Sequence, residues 1–226
     1  MLLGGGLFLL LVIVLIAAVM LGAERLPLFD LSEQQQSILF DIRIPRILLG
    51  ACVGASLAVA GAGLQSLLRN PLAEPYLLGV SNGAALGTLI AFVLFQQFEF
   101  ARPVMAFAGA ALASVVVYQM ARSRAGMNVE RLVLSGVIVT TFLSSVIVML
   151  TTVLDATRLR SFTFWLLGDL SQSTMNGVYL SLAAAIVGTI VIASQARALN
   201  LMMIGERDAL DFGVEVSRVR LLVFGA

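Results

Sequence analysis

Lysine and histidine are absent from the 226 residues, cysteine occurs once, and charged side chains make up only 12%. Each shortage excludes something. A phosphate-cradling Walker loop requires a lysine after its glycines, so this chain cannot supply that ATP site. Without histidine, the usual zinc hydrolase sites and histidine general-base schemes are missing. Gly54-Ala55-Ser56 resembles an intramembrane serine nucleophile, but no imidazole is available to take its proton, and Ser56 reads as a small packing residue. Cys52 lies in an apolar run and can form no internal disulfide. No Asp or Glu falls deep inside an apolar run, which argues against a proton relay or a voltage sensor. Neither a metal site nor a cofactor is expected, and a formal net charge of +1 gives no footprint for nucleic acid.

What fills the chain instead is apolar. Hydrophobic residues reach 60% and mean hydropathy is +1.02, whereas a soluble domain carries about 25% charged residues. The solvent for most of this chain is lipid. Six stretches approach the roughly 20 residues that a helix needs to cross a bilayer: Leu2 to Leu21, Ile47 to Leu68, Tyr76 to Phe95, Pro103 to Met120, Leu132 to Leu154 and Val178 to Ala193, with a seventh beginning near Val219. The fold class expected is all-α, a polytopic membrane helix bundle of six complete spans and the start of a seventh, forming one domain over residues 1–226. The first stretch lacks a preceding positive charge and is too long for a secretion signal, so it reads as a retained helix.

Arginine bias in short loops weakly favours a cytoplasmic N-terminus. That orientation puts Arg69, Arg122, Arg124, Arg131, Arg197, Arg207, Arg218 and Arg220 inside, against Arg25, Arg43, Arg46, Arg102, Arg158 and Arg160 outside. Helix packing is better specified. Gly50, Gly54, Ala58 and Ala62 recur every four residues in the second span, and Gly79, Gly83 and Gly87 do so in the third. Each stripe gives its helix a smooth face that another backbone can approach closely.

Between these spans, Pro71 and Pro75 interrupt the helix, because proline removes a backbone donor and disfavours helical geometry in the residue before it. Asn70, Ser81 and Asn82 can bond to the freed backbone groups, so the segment is either a re-entrant, gate-like element or an ordinary cytoplasmic hairpin. At the start of the second span, Arg43-Ile44-Pro45-Arg46 puts two forked cations on one helix face, with proline expected in the first turn. These arginines either snorkel to the headgroups or dock acidic residues of a partner.

The run from Arg43 to Gly87 resembles the permease subunits of ABC importers for iron-siderophores, haem and vitamin B12. The likeness rests on the Arg-x-Pro-Arg start, Gly61 with Gln65, the block Asn70-Pro71-Leu72-Ala73-x-Pro75, and Leu78-Gly79-x-Ser81-x-Gly83-Ala84. Two later segments agree: Phe164-Trp165-Leu166-Leu167-Gly168, and Gly205-Glu206-x-x-Ala209-x-x-x-Gly213. The family has about ten helices per subunit and a cytoplasmic N-terminus, so this chain resembles its first two thirds, and the counterparts of helices seven to ten are missing from the 226 residues.

The resemblance implies a permease in the bacterial inner membrane that imports a metal chelate, with an iron-siderophore as first choice of cargo and haem or cobalamin as others. Alternating access would be driven by separate cytoplasmic ATPase subunits, so the chain itself is not expected to be an enzyme. The further partners implied are an extracytoplasmic substrate-binding protein and a second permease subunit. Arg43 and Arg46 match the positions that dock the binding protein. Asn70 and Leu72 match the cytoplasmic gate, and the second-gate positions fall at Val129 and Glu130, where the vitamin B12 importer has small hydroxyl residues; an ion pair with neighbouring arginines is the other reading of Glu130. Gly205, Glu206, Ala209 and Gly213 belong to the element that couples to the ATPase, within residues 199–218. That segment is amphipathic, with Leu199, Met202, Met203, Leu210, Phe212 and Val214 among its charges, and its glycines divide it into short helices. Residues Ser161 to Leu170, with Phe162, Phe164 and Trp165, read as an interfacial helix capping the mouth of the pathway. A secondary transporter is the rival from a different class, but it should carry a coupling-ion site near mid-membrane, where this chain has no acidic residue.

Overall fold

A computed structural model describes residues 2–22, 32–95, 97–98, 100–123 and 126–226. Arg25 and Arg124 of the loop count lie outside them. The described residues are almost entirely helical, as a chain whose backbone must satisfy itself in lipid should be. In order they form α1 (Leu2–Met20), α2 (Glu33–Ser37), a π-helical segment (Ile38–Arg43), α3 (Ile44–Leu68), a 3₁₀ turn (Pro75–Leu78), α4 (Val80–Leu94), α5 (Ala101–Ala121), β1 (Arg122–Ser123), β2 (Gly126–Met127), α6 (Val129–Thr151), α7 (Ala156–Leu166), α8 (Met175–Ser194), α9 (Ala196–Ile204), α10 (Glu206–Asp211) and α11 (Val216–Gly225). The two strands form a minimal antiparallel hairpin, Arg122 opposite Met127 and Ser123 opposite Gly126.

Four helical stretches are long and apolar enough to cross a membrane: Glu33–Leu68, Ala101–Ala121, Val129–Thr151 and Met175–Ser194; Gly4–Met20 and Val80–Leu94 are apolar but shorter. Two boundaries differ from the sequence expectation, each for a local reason. The second span begins well before Ile47, because Ser32 caps the helix through a reciprocal capping box with Gln35 and the chain stays helical from Glu33 to Leu68. Pro45 therefore sits inside a continuous helix instead of in its first turn. The wide π turns at Ile38–Arg43 lie just before it and include Asp41, whose carbonyl the ring would strike in a regular helix. The third span starts at Val80 and not Tyr76, since Pro75 opens a separate 3₁₀ turn and Gly79 adopts the left-handed conformation (φ 75°) between that turn and α4. The 15 residues of α4 cover about 22 Å at 1.5 Å each.

The chain divides into two compact units, Met1–Ser56 with Asp169–Val187, and Leu57–Gly168 with Gly188–Ala226. In the second unit, α4 and α5 lie backbone to backbone. A Cβ on Gly83 would strike the Gly109 carbonyl and come within 2.6 Å of the Ala113 Cβ; one on Gly87 would land on the Met105 carbonyl, and one on Gly109 on the Gly83 carbonyl. No residue but glycine fits these three positions. Around this pair, Leu64, Leu67, Val117, Leu132, Met202 and Val219 build one core, and Leu89, Phe92 and Phe162 a second. Phe162 of α7 is fully buried, edge-on to Phe92 and stacked on Trp165, which gives the expected interfacial helix a packing role; it runs from Ala156 under an Asp155 cap.

Candidate functional site

In the first unit, the two arginines of the Arg-x-Pro-Arg cluster sit one helical turn apart, and both are engaged within the chain. Arg43, half-buried, donates from Nη1 to the Val19 carbonyl at 2.9 Å, with the Met20 carbonyl at 3.5 Å. These are carbonyls of the last turn of α1, which have no partner within their own helix. Arg46 is exposed and donates from Nε to the Leu170 carbonyl at 3.2 Å, with the Ser171 carbonyl 3.5 Å from Nη2. Beside it the Asp169 carboxylate accepts from the Ser171 amide. Hydrogen bonds from Ser171 side chain and backbone hold its pKa below the ordinary 3.8, and the Arg46 cation adds a smaller push in the same direction. Gly50 faces Leu170, whose Cδ1 would lie 3.6 Å from an added Cβ, whereas Gly54 has open space beside it.

The gate candidates belong to the second unit. Helix α3 ends in a Schellman-type turn: Arg69 takes the left-handed conformation (φ 50°) where glycine is usual, and the Asn70 amide donates back to the Gln65 carbonyl at 3.1 Å. The Asn70 side chain then accepts from the Leu72 amide at 2.9 Å, closing an Asx turn that leaves Leu72 80% exposed. Pro71 and Pro75 could not have continued the helix, so the turn follows from the sequence. At the start of α6, Asn128 accepts from the Arg131 amide and serves as N-cap, leaving Val129 half-buried and Glu130 exposed. Among the described residues Glu130 has no ion-pair partner. A polar recess of about 440 Å³ brings Arg69, Asn128, Val129 and Glu130 together with Glu206 and Arg220. Asn70 and Leu72 follow Arg69 in sequence but do not line that recess.

The coupling candidates form a compact wedge of α9 and α10 that closes at the Gly213 turn. Its two glycines differ. Gly213 has φ 78° and anchors a full Schellman motif, with its own amide bonded to the Leu210 carbonyl and the Val214 amide to the Ala209 carbonyl, both at 2.9 Å. Gly205 is extended (φ −175°), a conformation open to any residue, and an added Cβ would meet only the movable Asp208 carboxylate. The amphipathic segment splits its apolar residues between two faces. Leu199, Met202 and Ala209 are buried in the core, while Met203, Ile204, Leu210 and Phe212 are exposed, Phe212 at 74%. Glu206 pairs with Arg220 across 2.8 Å.

Three residues have contacts that sequence reasoning did not foresee. Gly109 supplies the α5 half of the close contact with α4; it stands outside any four-residue glycine repeat, so periodicity does not mark it. Asn82 was expected to bond freed backbone groups near its own segment. Its amide instead reaches α6, donating to the Thr140 carbonyl at 2.9 Å and the Ser144 hydroxyl at 2.7 Å. Arg220, noted only as a loop charge, is buried within α11.

Comparison with known proteins places these features in context. Residues 9–226 match the FecCD transport family. The cobalamin import system permease protein of Halobacterium salinarum is 40% identical over 195 residues, 86% of this chain and 53% of that protein. The hemin transport system permease protein of Yersinia pestis is 33% identical over 236 residues, covering 98% of this chain and 70% of its own length. A solved structure described as an inward-facing conformation of a metal-chelate type ABC transporter superposes with a TM-score of 0.86 at 29% identity, over 97% of this chain and 70% of that one. The chain spans about half the length of several of the curated relatives it matches.

Proposed function

The chain belongs to the FecCD transport family, and from that premise we propose that it is the membrane-spanning part of a binding-protein-dependent ABC importer for a metal chelate. The observation that carries this reading is the wedge of residues 196–213. It exposes Met203, Ile204, Leu210 and Phe212 together on a segment fixed by the Gly213 turn and packed on the core through Leu199, Met202 and Ala209. Such apolar anchors on a rigid support suit insertion into a cleft of a partner, and a cytoplasmic ATPase is the partner this family context supplies. The chain has no Walker lysine of its own.

On this reading the chain crosses a bacterial inner membrane six times and begins a seventh crossing at α11, with its N-terminus in the cytoplasm. Arg43 and Arg46 stand at the extracytoplasmic end of α3. Arg46 remains exposed, so it can meet a carboxylate of the binding protein with donors not directed at Leu170 and Ser171. Arg43, the other docking cation, also holds the end of α1. Asn70 and Leu72, with Val129 and Glu130, form the cytoplasmic seal. The exposed Leu72 dewets a constriction, and the Asn70 side chain is spent holding the turn that presents it. The permease works as a pair with a second permease subunit. An apolar recess of about 460 Å³, lined by Gly83, Leu86, Ile90, Met105, Leu112 and Phe142, carries no charged side chain, in keeping with a cargo whose metal is already enclosed by its chelator. An iron-siderophore is the first cargo to test, before haem and cobalamin.

The test is reconstitution of the assembled transporter with its ATPase and binding protein, followed by uptake of labelled ferric siderophore, haem and cobalamin. ATP-dependent accumulation of one of the three is expected. Failure of the purified permease to retain any ATPase subunit would overturn the reading.

A further inference from the structure

The wedge and the gate are joined by one buried side chain. Arg220 lies in α11 among Val216, Val219 and Val223, and is only 8% exposed. A guanidinium in such a place must spend its donors on fixed acceptors, because burial of a charge is costly unless it is paired. It does so in two directions. Nη1 donates to the Met127 carbonyl at 3.0 Å, and Nη2 donates to Glu206 Oε2 at 2.8 Å. Met127 is the last residue of β2 and stands directly before Asn128, the N-cap of α6 on which Val129 and Glu130 are mounted. Glu206 is the first residue of α10 in the wedge. The rigid planar fork thus fixes a wedge carboxylate and a gate-side carbonyl relative to each other, across 93 residues on one side and 14 on the other.

The geometry assigns Arg220 the role of a positioning residue that transmits displacement of the ATPase-facing wedge to the start of α6. The assignment rests on the transport reading above for its purpose, but the mechanical link stands on the two hydrogen bonds alone. Three features make it a transmitter and not only a core filler. The pair is asymmetric, with the arginine side chain 10% exposed and the glutamate 45%, so a push received at the more exposed wedge end is delivered to an arginine held in the core. The polar recess beside it contains Glu130 as well as Glu206, so the guanidinium has a second carboxylate within the same recess should the first be drawn away. Finally, Arg220 Nε is buried without a partner among the described residues, leaving one donor for such an exchange. Lysine could carry the charge but not the fork.

The experiment uses the assembled transporter with Cys52→Ala and spin labels at Arg131→Cys and Arg207→Cys, exposed positions on α6 and α10. Electron–electron resonance distances are read with and without trapped ATP, together with chelate imported per ATP hydrolysed. With Arg220 intact, the two labels keep one narrow distance in each nucleotide state. Arg220→Gln broadens that distribution and lowers import per ATP by about tenfold while hydrolysis changes by less than about twofold, whereas Arg220→Lys recovers only part of the loss. Glu206→Gln, which leaves the Met127 bond in place, gives a smaller loss of about threefold and keeps the test open if Arg220→Gln fails to assemble. Identical distance distributions for the parent protein and the Arg220→Gln variant in both states, or equal proportional losses of import and hydrolysis, would overturn the assignment. Absence of ATP-driven import in the parent protein would instead overturn the transport reading, and the nucleotide-free distances would still decide the role of Arg220.

Discussion

Two glycine stripes written with the same four-residue spacing have different surroundings. On α4, Gly83 and Gly87 are pressed against the backbone of α5, and neither has room for a single extra carbon. On α3, Gly54 meets nothing and Gly50 only the end of Leu170. A small-residue stripe therefore declares a smooth helix face without declaring what lies on it. Occupancy is set by the partner: α5 offers Gly109 and Ala113 at matching heights, so main chain can meet main chain.

Substitutions on the two stripes and at the other glycine-like turns put this contrast at risk. The largest effect is expected from Gly87→Leu, where the new side chain has only the Met105 carbonyl in front of it; a loss of at least ~3 kcal/mol and little folded protein in detergent are expected, read by thermal unfolding and size-exclusion yield. Gly213→Val comes next. It keeps the space but forces a branched residue into the left-handed region, for a loss of about 1–2 kcal/mol and a sharp fall in import per ATP measured in proteoliposomes. Arg69→Gly tests the same conformation from the other side, since glycine there relieves a strained turn and should raise stability by up to ~1 kcal/mol. Gly54→Leu should leave the unfolding midpoint within experimental scatter, in direct opposition to Gly87→Leu.

The smallest effect concerns Asp169. Because its folded pKa is depressed, chiefly by the Ser171 bonds, its contribution is complete above the ordinary carboxylate value and fades only as pH falls through the lowered one. Wild type and Asp169→Asn should therefore show the same dependence of unfolding temperature on pH between about 5 and 8; a divergence in that window would mean the carboxylate has another partner.

Much of the fold was legible because lipid imposes simple demands. Long apolar runs became helices, paired prolines ended them, and Gly213 sits where only a left-handed residue closes the turn. The site was legible only in part, since one-dimensional spacing does not say where a donor goes. Arg43 and Arg46 were expected as docking cations, and spacing did not reveal that donors of both serve the end of α1 and the loop before α8. Pro45 looked like a first-turn residue because nothing in composition announces a π-helical segment; the capping box of Ser32 and Gln35 was the signal available. Arg220 looked like one loop charge among many, and its place within the apolar run of α11 was the clue to a buried partner. Gly205 and Gly213 appeared equivalent as punctuation, but only the second is required by its backbone.

The proposed transfer of work from ATP hydrolysis to import is tested by a single uptake comparison. Import of the labelled chelate is measured for the reconstituted transporter with its native ATPase, and for the same transporter assembled with an ATPase that binds but does not hydrolyse ATP. Accumulation is predicted with the first and none above background with the second. Equal accumulation in both would contradict that transfer of work.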